Sequence, residues 1–325
     1  MRSAIHNSFG KPSDVLSVGD SPMPQPAANE VRIKTILSPI HNHDMLTVSG
    51  QYGYKPEMPA IGGSEALGII DAVGADVTDF SVGQRVACAS VHETWAEYFV
   101  APASMVFNMP DSIEDELAAQ LIAMPLSALM LLEFLEVTSG QWIIHNAANG
   151  AVGKTLAMLA AARGVNTINL VRSKDAIEEL TSLGIKNNVV TADDDWKDQV
   201  RAIIGDDKIT AAVDSVGGES SNELLSLLGS KGTLVSFGIM SGKPMALDAG
   251  SLIFKQATVK GFWGSKTSQE MDLDNKQRLI TELLERASNG DLKLPIEAVY
   301  SLDDIATAVS GKVQSSKKGK VLLKP

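Results

Sequence analysis

The chain has 325 residues, a length typical of about two domains. Its 28 lysine and arginine residues stand against 39 aspartate and glutamate residues, and the resulting charge of −11 argues against nucleic acid or an anionic membrane surface as a partner. Hydrophobic residues make up 44% of the chain and charged residues 21%, which is typical of a globular protein and not of a disordered one.

The single cysteine, Cys88, rules out an internal disulfide framework and a cysteine-rich structural zinc site. It lies in an apolar stretch, so a small buried side chain is a better interpretation than a nucleophile. Residues 1–10 lack the apolar stretch of a signal peptide, and the most apolar region, residues 117–132, is too short and too interrupted to span a bilayer. We therefore expect a cytoplasmic protein without a membrane segment.

The first third of the chain is predicted to be rich in short strands. Residues 31–36 alternate between apolar and polar side chains, as a half-buried strand does. Short apolar runs follow at residues 68–74, 83–87 and 96–100, with prolines and glycines between them. Many short strands at this spacing indicate a β-rich module or barrel.

Beyond residues 109–111 the pattern changes to strands that alternate with helices. Asp111 or Ser112 is predicted to cap a first helix. The predicted strands are residues 142–145, 167–171, 189–190, 211–213 and 233–235, and the predicted helices are residues 152–163, 175–183, 196–204 and 222–228. This order is typical of an α/β protein with a doubly wound parallel sheet.

The last part of the chain is predicted to hold one long helix, residues 272–288, before strands return at residues 298–300 and 321–323. We expect these late strands to rejoin the N-terminal module. Residues 315–320, rich in serine and lysine, are predicted to form a solvated loop.

The strongest motif lies between the strand at residues 142–145 and the helix that follows it. It has the spacing Ala148-x-Gly150-x-x-Gly153, which matches the dinucleotide fingerprint of a strand–turn–helix unit. A small first residue permits the tight turn, Gly150 lets backbone N–H groups approach a pyrophosphate, and Gly153 lets the helix pack close to the strand. We therefore predict that Asn149, Gly150, Ala151, Val152 and Gly153 bind the phosphates of a cofactor. A glycine-rich turn without a ligand is the alternative.

A phosphate-binding P-loop is a second alternative for the same segment, because Gly153-Lys154-Thr155 resembles the end of that motif. A P-loop needs a glycine where this chain has Ala148, which favours the dinucleotide interpretation.

The end of the next predicted strand indicates which cofactor is bound. An NAD enzyme usually has an acidic residue there, on the ribose hydroxyl. This chain has Arg172 and Lys174 instead, and an arginine can make bidentate contacts with a 2′-phosphate. We therefore predict NADPH rather than NADH. A solvated helix start with Ser173 as the cap is compatible with this interpretation.

Several motifs in order resemble one family over nearly the whole chain. They are residues 38–44, 50–53, 59–65, 146–153, 168–172, 216–218, 252–255 and 261–263. The chain resembles the medium-chain dehydrogenase/reductase superfamily, and most closely its zinc-independent members, the mitochondrial-type 2-enoyl thioester reductases and quinone oxidoreductase-like proteins. The resemblance implies a Rossmann domain inserted into a GroES-like β-rich domain. The implied boundaries are 1–112 for the first part of the GroES-like catalytic domain, 113–262 for the Rossmann domain and 263–325 for the return to the catalytic domain.

The resemblance also bears on metal binding. Zinc-dependent relatives have a cysteine at the position of His41 and a histidine just before Glu65, where this chain has Ser64. His41 and His43 invite a metal interpretation, but two ligands do not complete a tetrahedral site. We predict that no metal is bound.

Candidate site residues follow from the same resemblance. Tyr52 matches the catalytic tyrosine of the family, and its hydroxyl can donate a proton at neutral pH. Tyr54 is a nearby rival, and a simple loop aromatic is the alternative role for Tyr52. Ser127, Gly238, Ile239, Phe262 and Trp263 are implied to meet the nicotinamide, and His41, Asp44 and Trp95 to lie along the substrate cleft. Core packing is the alternative role for Trp95 and for the residues at the strand ends.

The resemblance implies a reductase that transfers hydride from NADPH to an activated C=C bond, with a trans-2-enoyl thioester as the expected substrate. An NADPH:quinone oxidoreductase is the first alternative, since those relatives carry a tyrosine at the same position. A non-catalytic NADPH-binding redox sensor is an alternative of another class. The implied partners are a small-molecule substrate, an acyl thioester or a quinone, and a second copy of the chain in a homodimer.

Overall fold

The secondary structure was obtained from a computed structural model, which describes residues 1–310 and 319–325. The strands are β1 Arg2–His6, β2 Ser17–Asp20, β3 Glu30–Pro39, β4 Ala60–Ile61, β5 Glu65–Val73, β6 Arg85–Ala89, β7 Tyr98–Pro102, β8 Val106–Asn108, β9 Trp142–His145, β10 Asn166–Val171, β11 Asn188–Val190, β12 Ile209–Asp214, β13 Leu228–Ser236, β14 Thr258–Gly261, β15 Ile296–Ser301 and β16 Lys320–Lys324. The helices are α1 Pro12–Val15, α2 Asn42–Val48, α3 Asp115–Ala118, α4 Ala123–Phe134, α5 Ala151–Ala162, α6 Asp175–Ser182, α7 Trp196–Ile204, α8 Glu219–Leu227, α9 Ala249–Lys255, α10 Gly264–Glu270, α11 Leu273–Ser288 and α12 Ile305–Ala308.

The chain divides into two compact units. Unit 1 comprises Met1–Ala123, Leu283–Ser288 and Leu294–Pro325, and unit 2 comprises Met124–Glu282 and Asn289–Lys293. The domain boundaries at 112/113 and 262/263, which the resemblance implies, stay a prediction.

Unit 1 is built on a mainly antiparallel sheet with the strand order β15-β16-β3-β5-β6-β8, in which β7 also pairs with β3. Over residues 31–36 of β3 the side chains of Val31, Ile33 and Thr35 are buried while those that alternate with them are more exposed, so the period-two prediction for this strand is confirmed. The late strand β16 pairs with the end of β3, Leu323 opposite Ser38, as expected for a tail that rejoins the first module.

Unit 2 contains a parallel sheet with the strand order β11-β10-β9-β12-β13-β14. Its central strands are mostly buried, as expected where helices cover a parallel sheet on both faces. Ile144, Ile168 and Leu234 are among the fully or almost fully buried side chains of this core. The doubly wound α/β sheet predicted from the sequence is confirmed.

Three local predictions need correction or qualification. The helix expected at Asp111 or Ser112 begins instead at Asp115, after Glu114. Arg85 donates hydrogen bonds to the carbonyls of Pro110 and Ile113, and these bonds hold the residues between them in a turn. In the loop predicted at 315–320, Lys320 already begins β16 and residues 315–318 lie outside the described residues. The apolar stretch after residue 117 mostly forms α4, and no helix of the described chain has the length and apolarity needed to cross a bilayer.

Candidate active site

The predicted nucleotide loop lies between β9 and α5 in unit 2. Gly153 is in the first turn of α5, and a Cβ atom there would approach backbone atoms of Ala147 and Ala148 to 2.8 Å. Real Cβ atoms do not make such contacts, so only glycine allows the helix to start this close to the strand end. Ala147 itself has a φ of 50°, in the left-handed region, which lets the chain turn sharply out of β9.

The start of α5 leaves backbone donors available. Gly150 is the N-cap residue and has no side chain to cap the helix, so the N–H groups of Ala151, Val152 and Gly153 have no partner within the helix. The helix dipole adds positive potential at the same point. Together these features provide the cradle that a pyrophosphate needs.

A buried polar network anchors the loop to the neighbouring strand. The Asn146 amide donates to Asp214 Oδ1 over 2.6 Å and accepts from the Ser215 N–H over 2.7 Å. Asp214 also accepts hydrogen bonds from the N–H groups of Val216 and Gly217. The ends of β9 and β12 are thereby held together, which fixes the position of the loop between β9 and α5.

Arg172 follows β10 directly and is exposed. In the described part of the chain, no hydrogen bond or ion pair holds its guanidinium group. Lys174 is also exposed and lies 3.8 Å from a carboxylate oxygen of Asp193. Parallel strands present their carboxyl ends at one edge of a sheet, so Arg172 lies at the same edge as the loop after β9.

The P-loop interpretation is not supported by the side chains of α5. Lys154 is buried and donates to Glu179 on α6 over 2.6 Å, and the Thr155 hydroxyl donates to the carbonyl of Ala151. In a P-loop this lysine would reach the phosphates and this hydroxyl would bind a magnesium ion. Both groups are used to hold α5 in place.

The remaining predicted cofactor residues also lie at the carboxyl edge of this sheet. Gly238 follows β13 and passes so close to Ser215 that a Cβ atom would lie 2.9 Å from its carbonyl oxygen. Ser127, on α4, lies beside Gly264, where a Cβ would be 3.0 Å from the serine oxygen. Trp263 and Ile239 are 68% and 74% exposed, whereas Phe262 is buried against Phe134 and Phe237, with ring centroids 5.2 and 6.0 Å away.

In unit 1 the predicted substrate residue His41 forms a buried pair with Glu65. His41 Nε2 lies 2.6 Å from Glu65 Oε2, and both side chains are fully buried. The other carboxylate oxygen of Glu65 accepts the backbone N–H groups of Ile122 and Ala123. Burial raises the pKa of Glu65 to about 7 and lowers the pKa of His41 well below its ordinary value. His41 is therefore neutral, and because its side chain is fully buried it is not available to contact substrate.

Asp44 belongs to a second chain of hydrogen bonds beside this pair. One of its oxygens accepts the backbone N–H of His41 over 2.8 Å at the start of α2, and the other accepts the Ser64 hydroxyl over 2.6 Å. The Ser64 oxygen lies 2.8 Å from His43 Nε2. Asp44 is buried, so its side chain does not line a substrate cleft directly. It acts on the site through its hydrogen bond with Ser64, which in turn contacts His43.

Tyr52 is placed beside this chain by the turn after α2. The N–H groups of Gln51 and Tyr52 both donate to the carbonyl of Leu46, which folds the loop back toward the helix. The half-buried ring of Tyr52 then lies 5.8 Å, centroid to centroid, from the ring of His43. Tyr54 is 44% exposed and stacks on His92 at 4.2 Å, separate from the hydrogen-bond chain.

Trp95 was expected along the substrate cleft, and the structure places it in the core of unit 1. Its side chain is fully buried, and its indole N–H donates to the carbonyl of Pro39. It fills the space left by Gly62 and Gly63, where added Cβ atoms would lie 2.2 and 2.4 Å from its ring. Its role here is packing.

Comparisons with known proteins agree with this geometry. The family model of the alcohol dehydrogenase GroES-like domain matches residues 27–111, and that of the zinc-binding dehydrogenases matches residues 151–279. The chain is 31% identical to the mitochondrial enoyl-[acyl-carrier-protein] reductase of Homo sapiens, over 99% of this chain and 88% of the relative. This chain belongs to the medium-chain dehydrogenase/reductase superfamily.

Solved structures of the superfamily match the whole chain. A mycobacterial quinone oxidoreductase has a TM-score of 0.89 and 28% identity, with all of both chains covered. The quinone oxidoreductase of Escherichia coli, solved in complex with NADPH, has a TM-score of 0.88 and 25% identity, again over all of both chains.

Some members of the superfamily bind zinc, so the donors in this member were tested for a metal site. The described residues include no group of three or more histidine, cysteine, aspartate or glutamate side chains that could hold a metal ion. His41 Nε2 is taken by Glu65 and His43 Nε2 by Ser64, so the available donors bind one another. These side chains do not fit a zinc centre, and zinc-free catalysis stays a prediction.

The sequence analysis did not assign a role to His43, Ser64 or Glu65. His43 and Ser64 are separated by 21 positions and meet only because α2 packs beside the start of β5. One sequence signal could have identified them: the polar residue Ser64 stands where zinc-dependent relatives have a metal ligand. The acidic residue Glu65 follows it directly, with no basic residue close to it in the sequence.

Proposed function

We propose that this medium-chain reductase uses NADPH to reduce an activated C=C bond, with a trans-2-enoyl thioester as its substrate class. The observation that carries the proposal is the pairing of an uncapped, glycine-lined helix start with Arg172 at one edge of the sheet, where no described residue binds its guanidinium group. An anion cradle and a free guanidinium suit the pyrophosphate and the 2′-phosphate of NADPH. The quinone oxidoreductase of Escherichia coli, which this chain resembles in structure, was solved with NADPH.

The residues of each unit have distinct tasks in this proposal. NADPH, when bound, supplies the hydride that is added to the β-carbon of the substrate. In unit 2 the N–H groups of Ala151, Val152 and Gly153 hold the pyrophosphate, and Asn149 closes the loop over it. Arg172 holds the 2′-phosphate, with Lys174 adding positive potential. Ser127, Gly238, Ile239, Phe262 and Trp263 remain the candidates for the nicotinamide end.

In unit 1, Tyr52 is the proposed proton donor. Hydride addition to an enoyl thioester places negative charge on the α-carbon and the thioester oxygen, and the reaction is complete only when the α-carbon is protonated. The Tyr52 hydroxyl donates this proton: its O–H bond breaks as the new C–H bond forms. The adjacent chain of His43, Ser64 and Asp44 supports a proton-transfer role for this tyrosine.

A quinone is the second candidate substrate, because two of the structures that match the full length of the chain are named quinone oxidoreductases. Reduced quinone oxygens can take protons from water, so a quinone has less need of a placed donor. The relative that is 31% identical is named an enoyl-[acyl-carrier-protein] reductase, which supports the thioester. The two candidates therefore differ in how strongly they should depend on Tyr52.

NADPH oxidation measured with a trans-2-enoyl-CoA and, separately, with a 1,4-naphthoquinone tests the proposal. We expect turnover with the thioester, and a loss of about 10²–10⁴-fold in kcat for Tyr52→Phe with that substrate. Tyr54→Phe, the matched control on an exposed tyrosine, should retain activity. Turnover of the quinone alone would favour the second candidate. NADPH binding without turnover of either substrate would favour a non-catalytic sensor.

We further propose that the protein is a homodimer formed through the β14 edge of unit 2. In the described chain β14 pairs only with β13, and Val259 on it is 37% exposed. Phe254 and Ile253 on the neighbouring α9 are 86% and 68% exposed. An open strand edge beside exposed apolar side chains fits a second copy related by a two-fold axis.

Light scattering coupled to size exclusion tests this association. The unmodified chain should elute with the mass of a dimer, and Phe254→Glu should shift it toward the monomer. Val82→Glu replaces a 63% exposed apolar side chain in unit 1 and should leave the mass unchanged. A monomeric unmodified chain would refute the dimer.

A further inference from the structure

The hydrogen bonds around Ser64 have a fixed direction. Asp44 accepts hydrogen bonds at both oxygens, from the His41 N–H and from the Ser64 hydroxyl. A serine hydroxyl has one proton to donate, and here that proton is directed to Asp44. The Ser64 oxygen can therefore only accept from His43, so Nε2 of His43 carries a hydrogen.

This direction determines what the other nitrogen of His43 can do. With Nε2 donating to Ser64, Nδ1 is a proton acceptor in the neutral ring and a donor in the imidazolium. Within the described residues no hydrogen bond reaches Nδ1, and the side chain is 28% exposed, so protons can reach it from solvent. The same ring lies 5.8 Å from the Tyr52 ring, centroid to centroid, and it stacks on the His41 ring at 5.0 Å.

We propose that His43 is the positioning and proton-supplying partner of Tyr52, oriented by Ser64 and Asp44. The inference rests on the proposed function, because it requires that Tyr52 give a proton to the substrate in each turnover. His43 does not touch the substrate and acts through the tyrosine. Asp44, with an oxygen 3.6 Å from His43 Nε2, stabilises the charged ring.

The proposed step balances in protons and charge. Tyr52 gives its hydroxyl proton to the α-carbon and becomes a phenolate. The imidazolium of His43 then gives its Nδ1 proton to the phenolate, directly or through one water, so an N–H bond breaks as the O–H bond is restored. His43 is left neutral and takes up a proton from solvent before the next turnover. No oxidant or reductant beyond the hydride donor is required.

Other ionisable groups interact with His43 or with a residue next to it, so the pH profile has to separate their effects from that of His43. They are Asp44 on the same helix, His41 at the stacked face, Tyr52 in the following loop, Glu65 at the start of β5, His92 in the loop before β7 and Lys320 at the start of β16. Glu65, whose pKa is about 7, titrates in the same range as a histidine. The test therefore compares variants that all retain Glu65.

The first measurement is independent of activity. The chain has five histidines, so ¹⁵N-histidine labelling gives few signals, and His43→Gln assigns the one that disappears. In the unmodified protein the neutral His43 ring should be the Nε2–H tautomer, and Ser64→Ala should allow the Nδ1–H form to appear. A neutral His43 ring with hydrogen on Nδ1 would overturn the inference even if the enzyme reduces enoyl thioesters.

The second measurement is the pH profile of kcat with a trans-2-enoyl-CoA. In the unmodified enzyme kcat should fall with rising pH, because the proposed step consumes a proton supplied by His43. In His43→Gln that limb should disappear, and kcat at neutral pH should fall by about 10²-fold, the lower end for a proton-transfer group. Added imidazole should restore part of the activity of His43→Ala, which a merely structural role would not allow.

His92→Gln is the matched control, because His92 is exposed and stacks on Tyr54. It should keep both the rate and the pH profile. If His43→Gln behaves like this control while Tyr52→Phe is inactive, the inference fails and the proposed function stands. If the unmodified enzyme does not reduce enoyl thioesters, the proposed function fails and the kinetic role of His43 with it.

Discussion

Replacing Gly153 with alanine tests the nucleotide loop at its tightest point. The added Cβ atom would lie 2.8 Å from three backbone atoms, Ala147 O, Ala148 Cα and Ala148 O, and backbone cannot rotate aside as a side chain can. The helix start must therefore move away from the strand end. Overpacking of this kind costs about 1–3 kcal/mol of folding free energy. At about 2–4 °C per kcal/mol for a domain of this size class, Tm should fall by about 2–12 °C.

The same displacement should weaken cofactor binding, because the N–H groups proposed to hold the pyrophosphate move with the helix. We expect the Kd for NADPH to rise at least about tenfold, which corresponds to about 1.4 kcal/mol. Thermal unfolding with and without NADPH measures both effects, since ligand at about 100 times its Kd adds about 2.7 kcal/mol. Gly250→Ala is the control, because the atoms nearest to a Cβ there belong to the Asp248 side chain, at 3.3 Å or more, and not to the backbone. A Gly153→Ala variant with unchanged Tm and unchanged NADPH affinity would refute the reasoning.

Three further predictions concern the cofactor, the metal and pH. Arg172→Ala should remove about 1.5–3 kcal/mol of the preference for NADPH over NADH, measured by titration. Lys174→Ala should remove less, because Lys174 already faces Asp193. Equal affinities for both cofactors in the unmodified protein would contradict this prediction. Exhaustive chelation should leave turnover unchanged, whereas stoichiometric zinc by elemental analysis, with activity lost on removal, would show the metal prediction wrong. Burial lowers the pKa of His145 from 6.5 to about 4. Between these pH values the unfolded chain binds a proton that the folded chain excludes, so the free energy of unfolding should fall by roughly 3 kcal/mol as pH drops from 6.5 to 4. His145→Gln should lose that part of the slope in urea unfolding, and an unchanged slope would contradict the assignment.

The parallel sheet was predictable because its signals are local. Residues 142–145 and 196–204 were predicted with the bounds that the structure has, since apolar runs, glycines and helix periodicity act over a few positions. The β-rich unit was predictable only in outline. β1, β2 and α2 were not predicted, and the pairing of β16 with β3 depends on contacts between opposite ends of the chain, which no local pattern encodes.

The candidate site, too, was predictable only where its sequence signals are local. The glycine spacing of the nucleotide loop is a backbone requirement, so it is visible in the sequence. The burial of Trp95 is not, because it depends on the space left by Gly62 and Gly63 some thirty positions earlier. Nor could the sequence show that His43 meets Ser64, since that hydrogen bond depends on the packing of a short helix against a strand. The partners of side chains are tertiary properties, whereas turns and helix starts are largely local ones.

The pairing of β16 with β3 has a consequence for how the protein is made. Ribosomes release a chain from its N-terminus, so almost all of unit 2 is available to fold while β3 still lacks its neighbour on one side. β3 leads directly into His41, and its Ser38 hydroxyl donates to the Glu65 carbonyl and lies 2.9 Å from the Thr94 hydroxyl. The residues proposed to handle protons therefore become fully ordered only after β16 has left the ribosome. A nascent chain stalled just before β16 would be expected to bind NADPH before it can turn over substrate.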